Sequence, residues 1–588
     1  MSKAECFRQC AYFIEIWTMH SENKIEVTAI TTPVELKKTE QSVKASDLFV
    51  KCLENEGVEY IFGVPGEENI DVLDALIDSP IEFVTTRHEQ GAAFIADVLG
   101  RLTGKAGVCL STLGPGATNL VTGVADANMD RAPIIAIAGQ GSTDRMHKES
   151  HQILDLVDLF KPITKYSTQL LVPEIIPEVV RKAFKTAESE KPGCSFIDFP
   201  ENVAGAELPF GAVPLKKQSP KAAKASIESC QKAAKIISES TSPIIMVGNG
   251  SVRGNACASL VKFAETLNIP VASTFMAKGS IPFSHNLSLG AVGLQAHDYV
   301  SYGFDEADLV ICVGVDMVEY HPRLWNPKRD KKIIHIDRSP AEVDQHYILE
   351  AGVVGEIAAS LEQIAAFSEK SPDSKIHQLR EHIVAEVSEH KDTLSFPVKP
   401  QKIIWDLRDV LNEQDIVISD VGAHKMWMAR LYQAEASNTC IISNGFASMG
   451  IALPGAIAAK MAYPERKAVA VCGDAGFMMN NQEIDTALRL GLDIVILIFN
   501  DSKYGLIEWH QKRHFGRSTA IDFVNPDFVK FAESFGAKGY RVERTECLLP
   551  VLEEALNDGT VSVIDCPVDY SENMKLTEKL KTMTSPIA

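Results

Sequence analysis

From residue 45 onward, short apolar runs alternate with longer amphipathic stretches. Tyr60-Ile61-Phe62, Gly107-Val108-Cys109-Leu110-Ser111 and Pro133-Ile134-Ile135-Ala136-Ile137-Ala138 are examples. Runs of this kind predict buried strands of parallel sheets, and the amphipathic stretches predict the helices between them. The fold class read from this rhythm is α/β. Two polar stretches rich in Pro, Lys and Ser, 208–226 and 368–402, interrupt it and read as linkers. They divide the chain into three doubly wound domains at 43–207, 227–367 and 400–575. Each opens with helix and strand signals, as three copies of one architecture would. Residues 1–42 read as a poorly ordered extension, with Met19 as a second possible start.

The length of 588 residues exceeds what a single core supports, in keeping with several domains. Hydrophobic residues at 45% and charged residues at 23% are ordinary for a soluble globular protein. A net charge of −20 argues against a nucleic-acid partner, because phosphate binding relies on Lys and Arg. The longest apolar run, Ile494-Val495-Ile496-Leu497-Ile498-Phe499, has the length of a strand and not of a membrane span. Lys3, Glu5, Arg8 and Glu15 break up the N-terminal apolar patches, so no secretory signal is read there. Twelve scattered cysteines, of which only Cys6 and Cys10 are close, fit reduced thiols in a cytoplasmic protein.

Candidate chemistry concentrates in the third domain. The strand-like run Lys467-Ala468-Val469-Ala470-Val471-Cys472 ends at Gly473-Asp474-Ala475-Gly476. A helical stretch from Asn480 through Leu490 follows, and then a second strand ends at Asn500-Asp501-Ser502-Lys503. One strand–helix–strand unit thus separates Asp474 from Asp501, and parallel pairing would bring both to one sheet edge. Two oxygen ligands beside a helix N-terminus suit a hard cation and a phosphate together. In the first domain, a strand at Ile81-Glu82-Phe83-Val84-Thr85-Thr86 runs into Arg87-His88-Glu89-Gln90-Gly91-Ala92, which opens a helix. Either segment alone reads as ordinary capping of a helix by an acid. In the middle domain, Asn249-Gly250-Ser251-Val252-Arg253-Gly254 follows a strand. Its G-x-G-x-x-x-G spacing is not the dinucleotide fingerprint, and we read it as tight strand–helix packing.

The Asp474/Asp501 pair resembles the thiamine diphosphate signature, GDG followed after a helix and strand by NN. Ala475 and Asp501 depart from it, and an ordinary helical φ is expected at Ala475. The Glu89 string resembles the R-H-E segment of the same cofactor family. From about residue 43 the chain is similar to acetolactate synthases, above all the catabolic, FAD-independent kind. The resemblance implies a pyrimidine-binding, a central and a diphosphate-binding domain. It implies Asp474, Asp501 and the Lys503 carbonyl as Mg²⁺ ligands, and Glu89 as the group that activates the aminopyrimidine.

Gly63, Pro65 and Gly66, with Gly116 and Asn119, resemble the two Gly-Pro-Gly loops that border the cofactor. Gly422, Ala423 and His424 resemble the diphosphate turn. Met449 stands where an apolar wedge lies under the cofactor rings, and a carbonyl near Ala447 would take the 4′-amino group. Gly473, Asp474, Ala475, Gly476, Asp501, Lys503, Tyr504 and Gly505 complete the implied cofactor contacts. Gln152, Lys165, Leu506 and His510 are implied on the substrate side, with Gln152 near the reacting carbon. The string Leu309-Val310-Ile311-Cys312-Val313-Gly314-Val315-Asp316 stands where the FAD-containing enzymes show Arg-Phe-Asp-Asp-Arg, which argues against FAD.

The implied reaction takes two pyruvates to 2-acetolactate and CO₂ in a homodimer or homotetramer. Departures at Glu67, Glu68 and His510 bear on the acceptor. The alternatives are another 2-keto acid decarboxylase or carboligase, or a catalytically silent regulatory subunit.

Overall fold

A computed structural model describes residues 42–208, 212–218, 222–293, 298–574 and 585–587. The extension expected over 1–42 lies outside them, apart from Ser42. In the first domain the strands are β1 (Tyr60–Gly63), β2 (Glu82–Thr85), β3 (Gly107–Ser111), β4 (Ile134–Gln140), β5 (Tyr166–Gln169) and β6 (Cys194–Pro200). They form a six-stranded parallel sheet in the order β2-β1-β3-β4-β6-β5.

The middle domain contributes β7 (Pro243–Val247), β8 (Val271–Ser273), β9 (Ser288–Ala291), β10 (Leu309–Val313), β11 (Lys332–Asp337) and β12 (Ala351–Val354). The last domain contributes β13 (Ile416–Ser419), β14 (Cys440–Ile442), β15 (Ala468–Gly473), β16 (Ile494–Asn500), β17 (Lys538–Arg541) and β18 (Ser562–Pro567). Its sheet, β14-β13-β15-β16-β18-β17, repeats the topology of the first. The middle sheet instead runs β9-β8-β7-β10-β11-β12. Three copies of one architecture are therefore not found. The middle sheet winds outward in both directions from β7, the order of a dinucleotide fold, with its switch point between β7 and β10.

Two further expectations change. Within the stretch read as a linker, Leu379–Ser388 is a helix. Leu379, Ile383 and Val387 recur at four-residue spacing and bury against the middle and last domains, outweighing the polar residues between them. The helical stretch expected from Asn480 through Leu490 holds the helix Glu483–Arg489, and a break at 481–482 separates it from a preceding helix, Asp474–Asn480. Asn480 turns its amide to the Gly450 carbonyl at 2.8 Å, and Gln482 donates back to Asn480 at 3.2 Å. Such side-chain bonds compete with continuation of the helix.

The first and last domains share a core. Helices α1 (Glu89–Thr103) and α2 (Pro115–Met129) pack together in the first domain, and α3 (Ala452–Ala462) of the last domain lies on α1. Small residues allow the approach. A Cβ on Gly455 of α3 would sit 3.1 Å from Val98 of α1, and one on Gly123 of α2 would sit 2.5 Å from the Ala93 Cβ of α1. Gly123→Ala should therefore push α1 and α2 apart. Overpacking of about 1–3 kcal/mol is partly offset by about 1 kcal/mol of helix propensity. A lower midpoint in urea unfolding is the expected result.

Candidate active site

Register decides the first half of the site. Gly473, the last residue of β15, pairs with Phe499 of β16, so Asp474 and Asp501 leave the sheet at one edge. Asp474 is buried. Its Oδ1 accepts from the Ala475 amide at 2.9 Å, and its Oδ2 accepts from the Ser502 amide and Asn525 Nδ2, both at 2.7 Å. Burial, and then the neighbouring charge of Asp474, pushes Asp501 up to about 7. The Lys503 amide donates to the Asp501 carboxylate. On either side of Lys503, the Tyr504 amide and the Ser502 carbonyl bond to 521–523, so the Lys503 carbonyl faces away from that segment. Ala475 lies in the first turn of Asp474–Asn480 without a positive φ, so no glycine is needed there.

A cavity of about 170 Å³ opens above these groups. Gly422, Ala423 and His424 wall it at the start of helix Ala423–Leu431. Ala447 and Met449 line another side, and Gly473, Asp474, Ala475 and Gly476 a third. Asp501, Lys503, Tyr504, Gly505 and Leu506 complete it at the start of helix Gly505–Phe515.

These residues fit a diphosphate with a divalent cation. Two helix N-termini offer free amides and positive dipole ends. A Cβ on Gly422 or Gly473 would press on the His424 ring at 2.9–3.2 Å, so the cradle has no room for side chains there. His424 is buried, its Nε2 has no partner among the described residues, and burial lowers its pKa to about 3. Among the described residues no three Asp, Glu, His or Cys side chains form a metal cluster. Two carboxylates and a carbonyl suit Mg²⁺ only with phosphate oxygens added.

The segment from Ser443 to Gly450 carries Ala447 and Met449. Ala447 has φ of 59°, a left-handed backbone that costs a non-glycine residue about 1–2 kcal/mol. Acids outside the segment hold it. Asp130, just past α2, accepts from the Gly445 amide at 2.6 Å and the Asn444 amide at 3.1 Å. Asp126 on α2 accepts from Ser443 Oγ at 2.8 Å and the Ser448 amide at 3.3 Å. Asp420 accepts from the Gly450 amide at 2.8 Å.

The other half of the site belongs to the first domain. Glu89 is buried at the start of α1, where Asn119 Nδ2 donates to its Oε2 at 3.0 Å. A Cβ on Gly116 would approach Glu89 Oε1 at 3.2 Å and Thr112 at 2.9 Å. Thr112 also packs against Gly66, and its hydroxyl donates to Glu68 at 2.7 Å. Gly63 sits so close to the Leu110 carbonyl that any Cβ would collide with it. Pro65 is exposed beside Gly66. Gln152, exposed and with φ of 58°, lies against Gly114.

Within one chain, none of Glu89, Gly63, Pro65, Gly66, Gly116, Asn119 or Gln152 lines the cavity. The structure thus assembles two half-sites without joining them. Lys165 belongs to neither. It precedes β5 at the sheet's opposite edge, and its Nζ donates to the Ser189 carbonyl at 2.7 Å. His510 is half-buried on Gly505–Phe515, beyond the cavity wall, and burial lowers its pKa.

Comparison with known proteins agrees with this geometry. The chain matches the N-terminal TPP binding domain of thiamine pyrophosphate enzymes over residues 43–159. It matches their central domain over 230–364 and their C-terminal TPP binding domain over 420–566. It is 36% identical to an acetolactate synthase of Bacillus subtilis (strain 168), covering 91% of this chain and 94% of that protein. It is 33% identical to a catabolic acetolactate synthase of Raoultella terrigena, covering 92% and 98% respectively. The chain belongs to the acetolactate synthase family of thiamine pyrophosphate enzymes.

Sequence reasoning passed over several residues that shape this family site. Asn525 bridges Asp474, Asn500 and Ser502. Glu483, fully buried in the last domain, accepts from the Arg87 and His88 amides at 3.2 and 3.1 Å and so caps α1. Asp126 and Asp130 hold a segment more than 300 residues away. No local pattern marks them, because their partners are distant in sequence. Glu483→Ala should cost about 2–4 kcal/mol, since two backbone amides lose a buried, charged acceptor. A lower urea midpoint, with faster amide exchange at the start of α1, is the measurement.

Proposed function

We propose that this chain is an acetolactate synthase that converts two pyruvates to 2-acetolactate and CO₂. The observation that carries this reading is the pair of half-sites. One is a diphosphate and cation cradle around Asp474 and Asp501, and the other a buried Glu89 held by Asn119. Thiamine diphosphate, when bound, supplies the electron sink that decarboxylation of a 2-keto acid needs.

The chain's own residues do the rest. Asp474, Asp501 and the Lys503 carbonyl hold Mg²⁺, and the helix starts at Ala423 and Gly505 take the diphosphate. Met449 is the apolar wedge, and the Ala447 carbonyl accepts from the 4′-amino group. Glu89 keeps a proton at the pyrimidine ring nitrogen. Gln152, Leu506 and His510 orient the ketoacids, with Leu506 supplying the apolar wall. Because the half-sites do not meet within one chain, a homodimer is the smallest active unit, and it can pair further into a homotetramer.

Glu319 supports a FAD-free middle domain. Its buried carboxylate accepts from the Asn249 amide at 3.0 Å, the Asp316 amide at 3.2 Å and the Thr274 hydroxyl. It fills the glycine-rich turn at the switch point, where a dinucleotide phosphate would sit. The described cysteines are free and mostly buried, in line with a reducing, cytoplasmic setting. A second reading, transfer to an acceptor other than pyruvate, is favoured by the Glu68 carboxylate on Thr112, whose side chain lies against Gly66 and Gly116.

Product analysis with pyruvate, alone and with 2-ketobutyrate, tests both readings. With thiamine diphosphate and Mg²⁺, pyruvate alone should yield acetolactate and CO₂, and the protein should show no flavin absorbance. CO₂ without acetolactate would favour the second reading, and no CO₂ would reject both. Glu89→Gln should keep the fold and cofactor affinity while slowing C2–H exchange of bound cofactor by orders of magnitude. Near-normal exchange would remove Glu89 from its role.

A further inference from the structure

Two buried carboxylates, one on α2 and one just past its end, reach out of their own domain. Asp126 is wholly buried, and its Oδ1 takes both the Ser443 hydroxyl and the Ser448 amide. Ser443 Oγ also accepts from the Ser448 amide at 3.3 Å, so carboxylate, hydroxyl and amide form one triangle. One turn further along, Asp130 takes the amides of Asn444, Gly445 and Phe446. Arg101 on α1 orients it, donating to Asp130 at 3.0 Å and to the Ile442 carbonyl at 3.1 Å. Ala447 lies between the two sets of bonds.

We propose that Asp126, braced by Asp130, is a positioning residue that aims the Ala447 carbonyl into the cofactor cavity. This rests on the reading of Ala447 given above. The peptide between Ala447 and Ser448 is planar and trans, so its carbonyl points opposite to its N–H. Fixing the Ser448 N–H on Asp126 therefore fixes the Ala447 carbonyl on the other side. Ala447 needs such a hold, because its positive φ would relax if the amides on either side were released. Stability alone does not explain a buried acid here. Asp126 faces the equally buried Asp97, and burial raises both above the usual carboxylate range, with the Asp130 charge adding to the rise at Asp126 and the Asp126 charge to that at Asp97. An apolar contact would hold two domains together at lower cost. What the carboxylate adds is direction.

The test compares Asp126→Ala, which removes the acceptor, with Asp126→Asn, which keeps one oxygen in place. In Asp126→Ala, thiamine diphosphate affinity should stay within about threefold of wild type, because the diphosphate cradle is untouched. C2–H exchange of bound cofactor and kcat should both fall at least tenfold with KM for pyruvate little changed. In the cofactor-free protein, amide exchange at Gly445 to Ser448 should quicken. Asp126→Asn should recover most of the loss. A lowered Tm with exchange and kcat unchanged in Asp126→Ala would mean a merely structural role and overturn the proposal. Should Asp126→Ala not fold, Ser443→Ala carries the same readout. It loosens the triangle and leaves the acid buried, and unchanged C2–H exchange in it overturns the proposal too. Failure of the wild-type chain to bind thiamine diphosphate would overturn the reading of the site, and this proposal with it.

Discussion

Parallel pairing of β15 with β16 is the constraint on which the rest of the site depends. Neighbouring parallel strands end at one edge, so the residues that follow them are side by side whatever the helices between them do. Asp474 and Asp501 are adjacent for that reason; burial raises the cost of ionising both, and the Asp474 charge raises that of Asp501 further. A cation is the natural solution to two such acids side by side. The glycines and helix starts around them then determine what else fits.

The first domain contributes differently. It repeats the sheet order of the last domain, yet its loops present a buried glutamate and apolar or small residues instead of paired acids. The two domains meet through α1, α2 and α3, where glycine and alanine let helices approach closely. That contact carries polar traffic as well as apolar area. Glu483 reaches from the last domain to cap α1, and acids on α2 and just past it reach back to the segment after β14. Each domain therefore completes the other's backbone hydrogen bonding at the place where chemistry is read.

Much of this was legible in the sequence. The strand runs before Asp474 and Asp501 were long, apolar and bounded by glycine or asparagine, so periodicity located both acids correctly at strand ends. Glu89 was legible as a helix start, and its burial follows from the packing of α1 against α2 and α3. Sheet order was not legible, because strand periodicity says nothing about which strand lies beside which. The helix at Leu379–Ser388 was hidden by its polar composition, with only three positions carrying the apolar face. Asp126, Asp130, Glu483 and Asn525 were invisible for a simpler reason. Each is an unremarked polar residue whose meaning lies in a partner brought close by tertiary structure.

Glu319 has a consequence for thermodynamics. A ligand in a nucleotide crevice stabilises its domain by a term that grows with concentration, RT ln(1 + [L]/Kd). A side chain that meets the turn's amide is tethered, so its local concentration is fixed by the backbone between β10 and the glycine-rich turn. The middle domain therefore meets the free amide of Asn249 from within. That amide is satisfied without any small molecule at the turn.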